Sequence, residues 1–194
     1  MRNNFKYTKL PYVDEFIHSI WNIDERSITL LDYQILFLRL MCSEEYFIGE
    51  VGRQGGKSEM CLMYAVYMAM RNTNAYITIR TPNESARRNM MEHLRNRIRN
   101  LLMVKTDTDG KLTFYSGSVI NFNYTDEDLE KTTHLIIDSA SNFEEEELRN
   151  TLEKIGKYCY VSILSNDDSN NQYYEGLKKD KNYCYLRYPL DIED

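Results

Sequence analysis

The chain has 194 residues, the size of one ordinary domain, and is long enough to bury a single hydrophobic core. Its hydrophobic fraction of 42% and its charged fraction of 28% are those of a soluble globular protein. The formal net charge of −6 gives no global sign of nucleic-acid binding, although a local basic patch is not excluded by a net charge.

The cysteines and histidines show no pattern of a metal site, because no C-x-x-C pair occurs and the three histidines are scattered. We therefore predict free, buried thiols in a reducing compartment. No apolar run approaches the roughly 18 residues of a membrane span, and residues 1–6 precede no apolar signal sequence. These features predict a soluble intracellular protein without a membrane partner. The cysteines are Cys42, Cys61, Cys159 and Cys184.

Hydrophobic patterning in the first half of the chain predicts alternating helices and strands after an N-terminal extension, residues 1–29. Predicted helices cover residues 31–41, 57–71 and about 84–102, and predicted strands cover residues 46–50 and 75–80. The helix at 57–71 is apolar almost all round, which is typical of a buried helix.

The second half continues the alternation. Residues 112–115 and 119–123 flank a Ser-Gly-Ser turn and predict a hairpin. The next predicted elements are a buried strand at 134–138, a helix at 143–155 and a strand at 158–164. One helix and a closing strand are predicted within residues 170–194.

Strands that alternate with crossover helices predict an α/β fold, a mostly parallel sheet with helices on both faces. We predict one domain over residues 1–194, with a nucleotide-binding core at 30–166 and a C-terminal helix and strand within 167–194. Ligands of such sheets bind beyond the carboxyl ends of the strands. The chemistry is therefore expected in the loops after Glu50, Arg80, Asp138 and Leu164.

The segment Gly52-Arg53-Gln54-Gly55-Gly56-Lys57-Ser58 predicts a phosphate-binding loop. Glycines allow close approach of the backbone to a phosphate, and the N-terminus of the following helix directs its free N–H groups at the anion. A lysine neutralises the β- and γ-phosphates, and a hydroxyl holds Mg²⁺. The general pattern has glycine at position 51, where this chain has Val51, so an incidental glycine-rich turn is the competing interpretation.

Asp138 ends a buried strand and is the expected acidic partner of the loop. A carboxylate at this place holds Mg²⁺ through water in P-loop ATPases. Taken alone, an aspartate at the end of a strand is more often a turn cap, and the pairing with Lys57 favours the metal site.

These residues resemble a known family, the large terminase subunits, which are ATP-driven motors that package viral DNA and have P-loop ATPase domains of the ASCE type. Leu31-Asp32-Tyr33-Gln34 resembles their adenine motif, and the Arg53-Gln54 pair resembles their variant phosphate loop, which tolerates Val51. Residues 136–143 resemble the second acidic motif, and residues 162–166 resemble the motif that couples hydrolysis to movement.

The resemblance implies a role for each matching residue. Arg53, Lys57 and Asp138 are the implied catalytic residues, with Arg53 stabilising charge on the transferred phosphoryl group. Ser58 and Asp138 are the implied Mg²⁺ ligands. The implied ATP-binding residues are Tyr33, Gln34, Gly52, Gln54, Gly55, Gly56, Lys57, Ser58, Ser165 and Asn166.

The sequence departs from the family in two motifs. Ser139 stands where the family has a glutamate that orients the attacking water, and a serine cannot act as that base. Glu144 and Glu145 are the nearest substitutes, although Asn142 and Glu145 also fit a helix capping box. Residues 126–128 are Asp-Glu-Asp where the family often has Arg-Gly.

The resemblance implies a ring of identical subunits around double-stranded DNA, with portal and small-subunit partners, in the cytoplasm of an infected host cell. No nuclease domain is expected within these residues. The only local sign of DNA contact is an arginine-rich helix at 84–102, on which Arg88, Arg95 and Arg99 can share one face. A solvated helix face is the more common explanation of such a pattern.

Two other functions stay open. One is a helicase-like translocase, although helicases prefer a different loop sequence and an acidic pair after the strand. The other is a nucleotide-binding subunit without turnover, which Ser139 suggests.

Overall fold

The computed structural model describes residues 12–21, 28–99, 103–108, 110–166 and 171–189. Within these residues the chain forms seven α-helices and one sheet of eight strands. The helices are α1 (Val13–Ile20), α2 (Asp32–Ser43), α3 (Lys57–Arg71), α4 (Glu84–Ile98), α5 (Asp126–Lys131), α6 (Glu145–Lys154) and α7 (Gln172–Leu177). The strands are β1 (Tyr46–Val51), β2 (Tyr76–Arg80), β3 (Val104–Thr108), β4 (Lys111–Phe114), β5 (Val119–Asn121), β6 (His134–Asp138), β7 (Tyr160–Ser165) and β8 (Cys184–Tyr188).

The sheet has the order β3-β4-β5-β2-β6-β7-β1-β8. The six strands from β5 to β8 in this order are parallel, and β4 is antiparallel to both of its neighbours. Because β7 lies between β1 and β6, the strand that leads into the phosphate loop is separated from the strand of Asp138 by one strand. The carboxyl ends of all three meet at the same edge.

Helices cover both faces of the sheet, as the alternation of elements predicts. One core packs α1 to α4 against one face, with Phe37, Met60 and Leu94 fully buried. The second core packs α5, α6 and α7 against the other face, around Ile137 and Tyr174. The predicted α/β fold with helices on both faces is therefore confirmed.

The predicted elements are present, with shifts of a few residues at their ends. Helix α3 covers the predicted 57–71 and is buried along most of its length. Three elements were not predicted, namely α1, β3 and α5. The predicted capping box of α6 is wrong, because Asn142 lies in a 3-10 turn (Ala140–Asn142) and the N-cap is Glu144, which makes no side-chain cap bond.

The four cysteines are free thiols, as predicted. Cys61 and Cys159 are buried, whereas Cys42 and Cys184 are partly exposed, so the predicted burial is confirmed for only two of the four. Burial raises the pKa of the Cys159 thiol to about 12, so this thiol stays protonated at neutral pH. Across the described residues, no helix combines the length and the apolar character that a membrane crossing requires.

Candidate nucleotide-binding site

The predicted phosphate loop connects the carboxyl end of β1 to the first residue of α3. Gly56 is the N-cap of α3 and has the left-handed φ of 72°, which glycine adopts without strain. The N–H of Gly55 donates to the carbonyl of Gly52 over 3.2 Å and closes the turn. The loop therefore places the N-terminus of a 15-residue helix at the edge where ligands of parallel sheets bind.

Lys57 is the first residue of α3, and its side chain folds back over the loop. The ammonium group donates to the carbonyl of Val51 over 3.2 Å and to that of Gly52 over 3.1 Å. The residue is only 8% exposed. The positive charge is thereby held across the loop, where it can neutralise an anion bound by the backbone N–H groups.

Ser58 and Asp138 lie in direct contact, although 80 positions separate them in the chain. The Ser58 hydroxyl donates to Oδ2 of Asp138 over 2.6 Å, and the Ser139 hydroxyl donates to Oδ1 over 3.3 Å. Burial raises the pKa of the Asp138 carboxyl, while the hydrogen bond from Ser58 and the charge of Lys57 act in the opposite direction.

This pair fits a Mg²⁺ ion that is shared with phosphates. A hydroxyl and a carboxylate provide two oxygen ligands, and Mg²⁺ usually takes its other ligands from water and phosphate oxygens. In the described ranges no cluster of three or more His, Cys, Asp or Glu side chains is arranged to hold a metal. Ser58 and Asp138 could therefore hold a Mg²⁺ ion only together with ligands from phosphate and water.

Tyr33 and Gln34, at the start of α2, lie against the phosphate loop. The Tyr33 hydroxyl donates to the carbonyl of Gly55 over 2.9 Å in a buried contact. The Gln34 amide nitrogen lies 2.7 Å from the point where a Cβ on Gly56 would be. Its amide oxygen accepts from the N–H of Leu31 over 3.0 Å, so one of its acceptor positions already caps the helix.

Ser165 ends β7, between the loop strand and the Asp138 strand. Its hydroxyl accepts from the N–H of Ser141 over 2.8 Å, in the 3-10 turn that follows Asp138. The N–H of Ser139 donates to the carbonyl of Leu164 over 2.7 Å. One hydrogen bond to the Ser165 hydroxyl and one between main-chain groups thus connect the end of β7 to the segment after Asp138. Asn166 follows directly and is partly exposed.

Arg53 and Gln54 are exposed at the tip of the loop. Gln54 has a φ of 64°, an uncommon conformation for a residue other than glycine. Strain of this kind persists only where the surrounding structure fixes the backbone.

Glu144 and Glu145, the candidate substitutes for the missing acid, lie among residues outside the phosphate loop. Glu144 precedes α6 and lines a surface cavity with Arg80 and Tyr124. Glu145 pairs with Arg149 on the surface of α6 over 3.1 Å. Arg80 ends β2 at the edge where the chemistry is expected, and its guanidinium packs over the Tyr124 ring at 5.3 Å and pairs with Glu147.

The predicted arginine-rich helix, α4, is largely paired with acids. Arg88 pairs with Glu84 over 2.8 Å, and Arg95 pairs with Asp107 over 2.7 Å. The interpretation as a solvated helix face therefore has the stronger structural support.

Sequence reasoning missed Glu50, the buried carboxylate next to the loop. It is 1% exposed, and it accepts from the Lys178 ammonium over 2.9 Å and from the Tyr185 hydroxyl over 2.6 Å. The ion pair with Lys178 fixes the end of α7, and the hydrogen bond from Tyr185 fixes β8, to the strand that carries the loop. A charged residue inside an otherwise apolar strand was the signal available in the sequence.

The sheet order and the loop at its carboxyl edge define the fold of a P-loop ATPase. No family model and no curated protein sequence matches the chain. Among solved structures, the fold is that of the ATPase domains of large terminases.

The large terminase of bacteriophage HK97 superposes with a TM-score of 0.74 at 13% identity, over 94% of this chain and 44% of that one. The large terminase ATPase domain of Thermus phage P74-26 gives a TM-score of 0.67 at 13% identity, over 92% and 86%. The large terminase of a further thermophilic bacteriophage, in complex with ATP-gamma-S, gives 0.63 at 12% identity, over 82% and 45%. This chain therefore spans less than half of the first and the third of these terminases.

The UvsW helicase of bacteriophage T4 has a similar fold. Its TM-score is 0.65 at 15% identity, over 95% of this chain and 69% of that one. The chain thus shares its fold with large terminases and with a helicase.

Proposed function

We propose that the chain binds Mg·ATP at the loop of residues 52–58 and hydrolyses it to drive the packaging of viral DNA. The observation that carries this proposal is the contact of Ser58 with Asp138, at 2.6 Å, beside the Lys57 ammonium. A lysine, a hydroxyl and a carboxylate at a helix N-terminus are the groups that Mg·ATP requires.

We assign residues of the site to the phosphates and to the base of the nucleotide. The N–H groups of Gly56 and Lys57 would bind the phosphates, and the Lys57 ammonium would neutralise their charge. The Gln34 amide would contact the adenine. One of the thermophilic phage terminases that share this fold was solved with ATP-gamma-S, and this supports a nucleotide as the ligand.

The residues around the γ-phosphate would perform the chemistry. Arg53 would stabilise the charge of the transferred phosphoryl group, because a guanidinium is planar and permanently charged. Ser58 and Asp138 would hold Mg²⁺. Ser165 and Asn166 would transmit the loss of the γ-phosphate, and the bond from Ser141 to Ser165 supports this role because it joins their strand to the Asp138 segment.

The partners follow from the likeness to terminases. We propose a ring of identical subunits around double-stranded DNA, with portal and small-subunit partners, in the cytoplasm of the infected cell. The 194 residues would form one ATPase domain with its nucleotide-binding core at 30–166.

Nucleotide binding is tested by calorimetric titration of Mg·ATP into the protein and into Lys57→Ala. Loss of a charge-assisted contact should weaken binding by roughly 10- to 100-fold. Lys179→Ala, which removes an exposed lysine after α7, is the matched control and should bind like the wild type. Equal affinities of the wild type and Lys57→Ala would refute the proposed site.

Turnover separates the ATPase from the subunit that only binds nucleotide. Phosphate release is measured with double-stranded DNA for the wild type, Lys57→Ala and Arg53→Ala. Release by the wild type should exceed that of Lys57→Ala, and Arg53→Ala should lower kcat more than ATP affinity. Binding without release above Lys57→Ala would favour the non-catalytic function that Ser139 suggests.

The helicase-like alternative rests on the UvsW likeness. It predicts strand separation of a forked duplex, whereas a packaging motor moves along intact double-stranded DNA. ATP-dependent strand separation by the wild type, absent in Lys57→Ala, would favour the helicase.

A further inference from the structure

Tyr188, the last residue of β8, lies beside the phosphate loop. It is the register partner of Val51, which immediately precedes the loop on β1. Its ring stacks on the ring of Tyr33, with centroids 4.6 Å apart and planes inclined by 19°. Tyr188 is 42% exposed, whereas Tyr33 is 5% exposed, so Tyr188 covers Tyr33 from the solvent side.

Tyr33 transmits this contact to the loop. Its ring packs edge-on against Phe37 on α2, with centroids 6.1 Å apart, and its hydroxyl donates to the carbonyl of Gly55. The peptide unit between Gly55 and Gly56 is planar and trans, so its carbonyl and its N–H point in opposite directions. Holding the carbonyl towards Tyr33 therefore directs the Gly56 N–H away from Tyr33.

We propose that Tyr188 is a positioning residue of the nucleotide site, which acts through Tyr33 to orient the peptide between Gly55 and Gly56 for phosphate. The proposal rests on the function proposed above. It assigns to β8 a role in phosphate affinity that goes beyond completing the sheet.

The position of β8 does not depend on the ring of Tyr188 alone. The Tyr185 hydroxyl donates to Glu50 over 2.6 Å, and β8 pairs with β1 from Phe47 to Val51. Removing the Tyr188 ring should therefore leave the strand in place and release only Tyr33. This allows the contact to be tested without loss of the fold.

The test compares two ligands, Mg·ATP and Mg·tripolyphosphate, by calorimetric titration. An aromatic pair of this kind is expected to change affinity by about 3- to 10-fold when it is broken. Tyr188→Ala should weaken both ligands by the same factor, because the affected group is the phosphate loop. Tyr188→Phe keeps the stack and should bind both ligands like the wild type.

A double-mutant cycle identifies the route. Tyr33→Phe removes the hydroxyl that bonds Gly55 and should weaken both ligands. Adding Tyr188→Ala to Tyr33→Phe should then have little further effect. Tyr160→Ala is the matched control. Tyr160 is a 39% exposed tyrosine that stacks on His134, and both lie at the amino ends of their strands, away from the loop.

Four results would overturn the inference. Weaker binding of ATP alone would mean that Tyr188 contacts the base. Unchanged affinity in Tyr188→Ala, or additive effects in the cycle, would mean that Tyr188 does not act through Tyr33. If the wild type binds neither ligand better than Lys57→Ala, the proposed function itself fails, and the inference fails with it.

Discussion

His134 should make the protein lose stability in mild acid. The residue begins β6, is 5% exposed, and stacks its ring on Tyr160 at 5.3 Å. Burial lowers the pKa of His134 from 6.5 to about 4. The unfolded chain therefore binds a proton at a higher pH than the folded chain, and the free energy of unfolding falls as the pH drops from 6.5 to 4.

The size of this loss follows from the difference between the two pKa values. At 1.36 kcal/mol per unit, a difference of about 2.5 units corresponds to about 3 kcal/mol once the pH is below 4, and about 2 kcal/mol is already lost at pH 5. Since a domain is typically stable by only about 5 to 15 kcal/mol, the loss is large enough to measure.

The assay is urea unfolding of the wild type and His134→Phe at pH 7.0, 6.0, 5.0 and 4.5. Phenylalanine keeps an aromatic ring against Tyr160 and removes the titrating group, so its stability should fall less between pH 7.0 and 4.5, by about 2 to 3 kcal/mol. His18→Phe, on an exposed part of α1, is the control and should keep the wild-type loss because His134 is still present. An equal loss of unfolding free energy between pH 7.0 and 4.5 in the wild type and His134→Phe would refute the reasoning.

Two further predictions concern buried charges beside the loop. Because burial raises the pKa of Asp138, its ionised form costs stability at neutral pH. Asp138→Asn should therefore raise the melting temperature of the nucleotide-free protein, and it should abolish the increase in melting temperature with Mg·ATP. A lower melting temperature of Asp138→Asn without nucleotide would contradict this. Lys178→Met leaves the Glu50 carboxylate buried without its cation, so it should lower the free energy of unfolding by about 3 kcal/mol in urea titrations. Lys179→Met is the control, and an equal loss of stability in the two variants would contradict the prediction.

The central part of the site is predictable from the sequence because its signals are local. A strand, a glycine-rich turn and an apolar helix follow each other over residues 46–71, and the turn residues specify the loop directly. Asp138 lies 80 positions away from Ser58, but parallel strands bring their carboxyl ends to one edge. The proximity of Ser58 and Asp138 could therefore be predicted once the fold class was known.

The three elements that were not predicted differ in how clearly the sequence pattern indicates them. Strand β3 is largely exposed, so it lacks the alternating burial by which strands are recognised. Helix α1 buries Val13, Phe16 and Ile17, whose helical spacing was visible in the sequence. Helix α5 begins with a capping box of Thr125 and Asp128, a pattern that is hidden within a run of acids.

The contacts of β8 were out of reach of sequence reasoning. Glu50 and Lys178 are 128 positions apart, and nothing local shows that β8 joins the sheet beside β1. The contact of Tyr188 with Tyr33 depends on the same placement. Local motifs thus contain the residues proposed to meet the ligand, whereas the residues that hold those motifs in position come from distant segments.

Ser139 illustrates why a departure from a motif has to be interpreted in its structural setting. The residue has a φ of 61°, and its N–H bonds to Leu164 while its hydroxyl bonds to Asp138. The left-handed backbone costs any residue other than glycine about 1 kcal/mol, and the serine already bears this cost, so a glutamate here would chiefly lose the serine hydroxyl bond. Glutamine loses the same bond and carries no carboxylate. Higher turnover in Ser139→Glu than in Ser139→Gln would therefore isolate the contribution of the acid, and equal turnover would mean that no base is missing at this position.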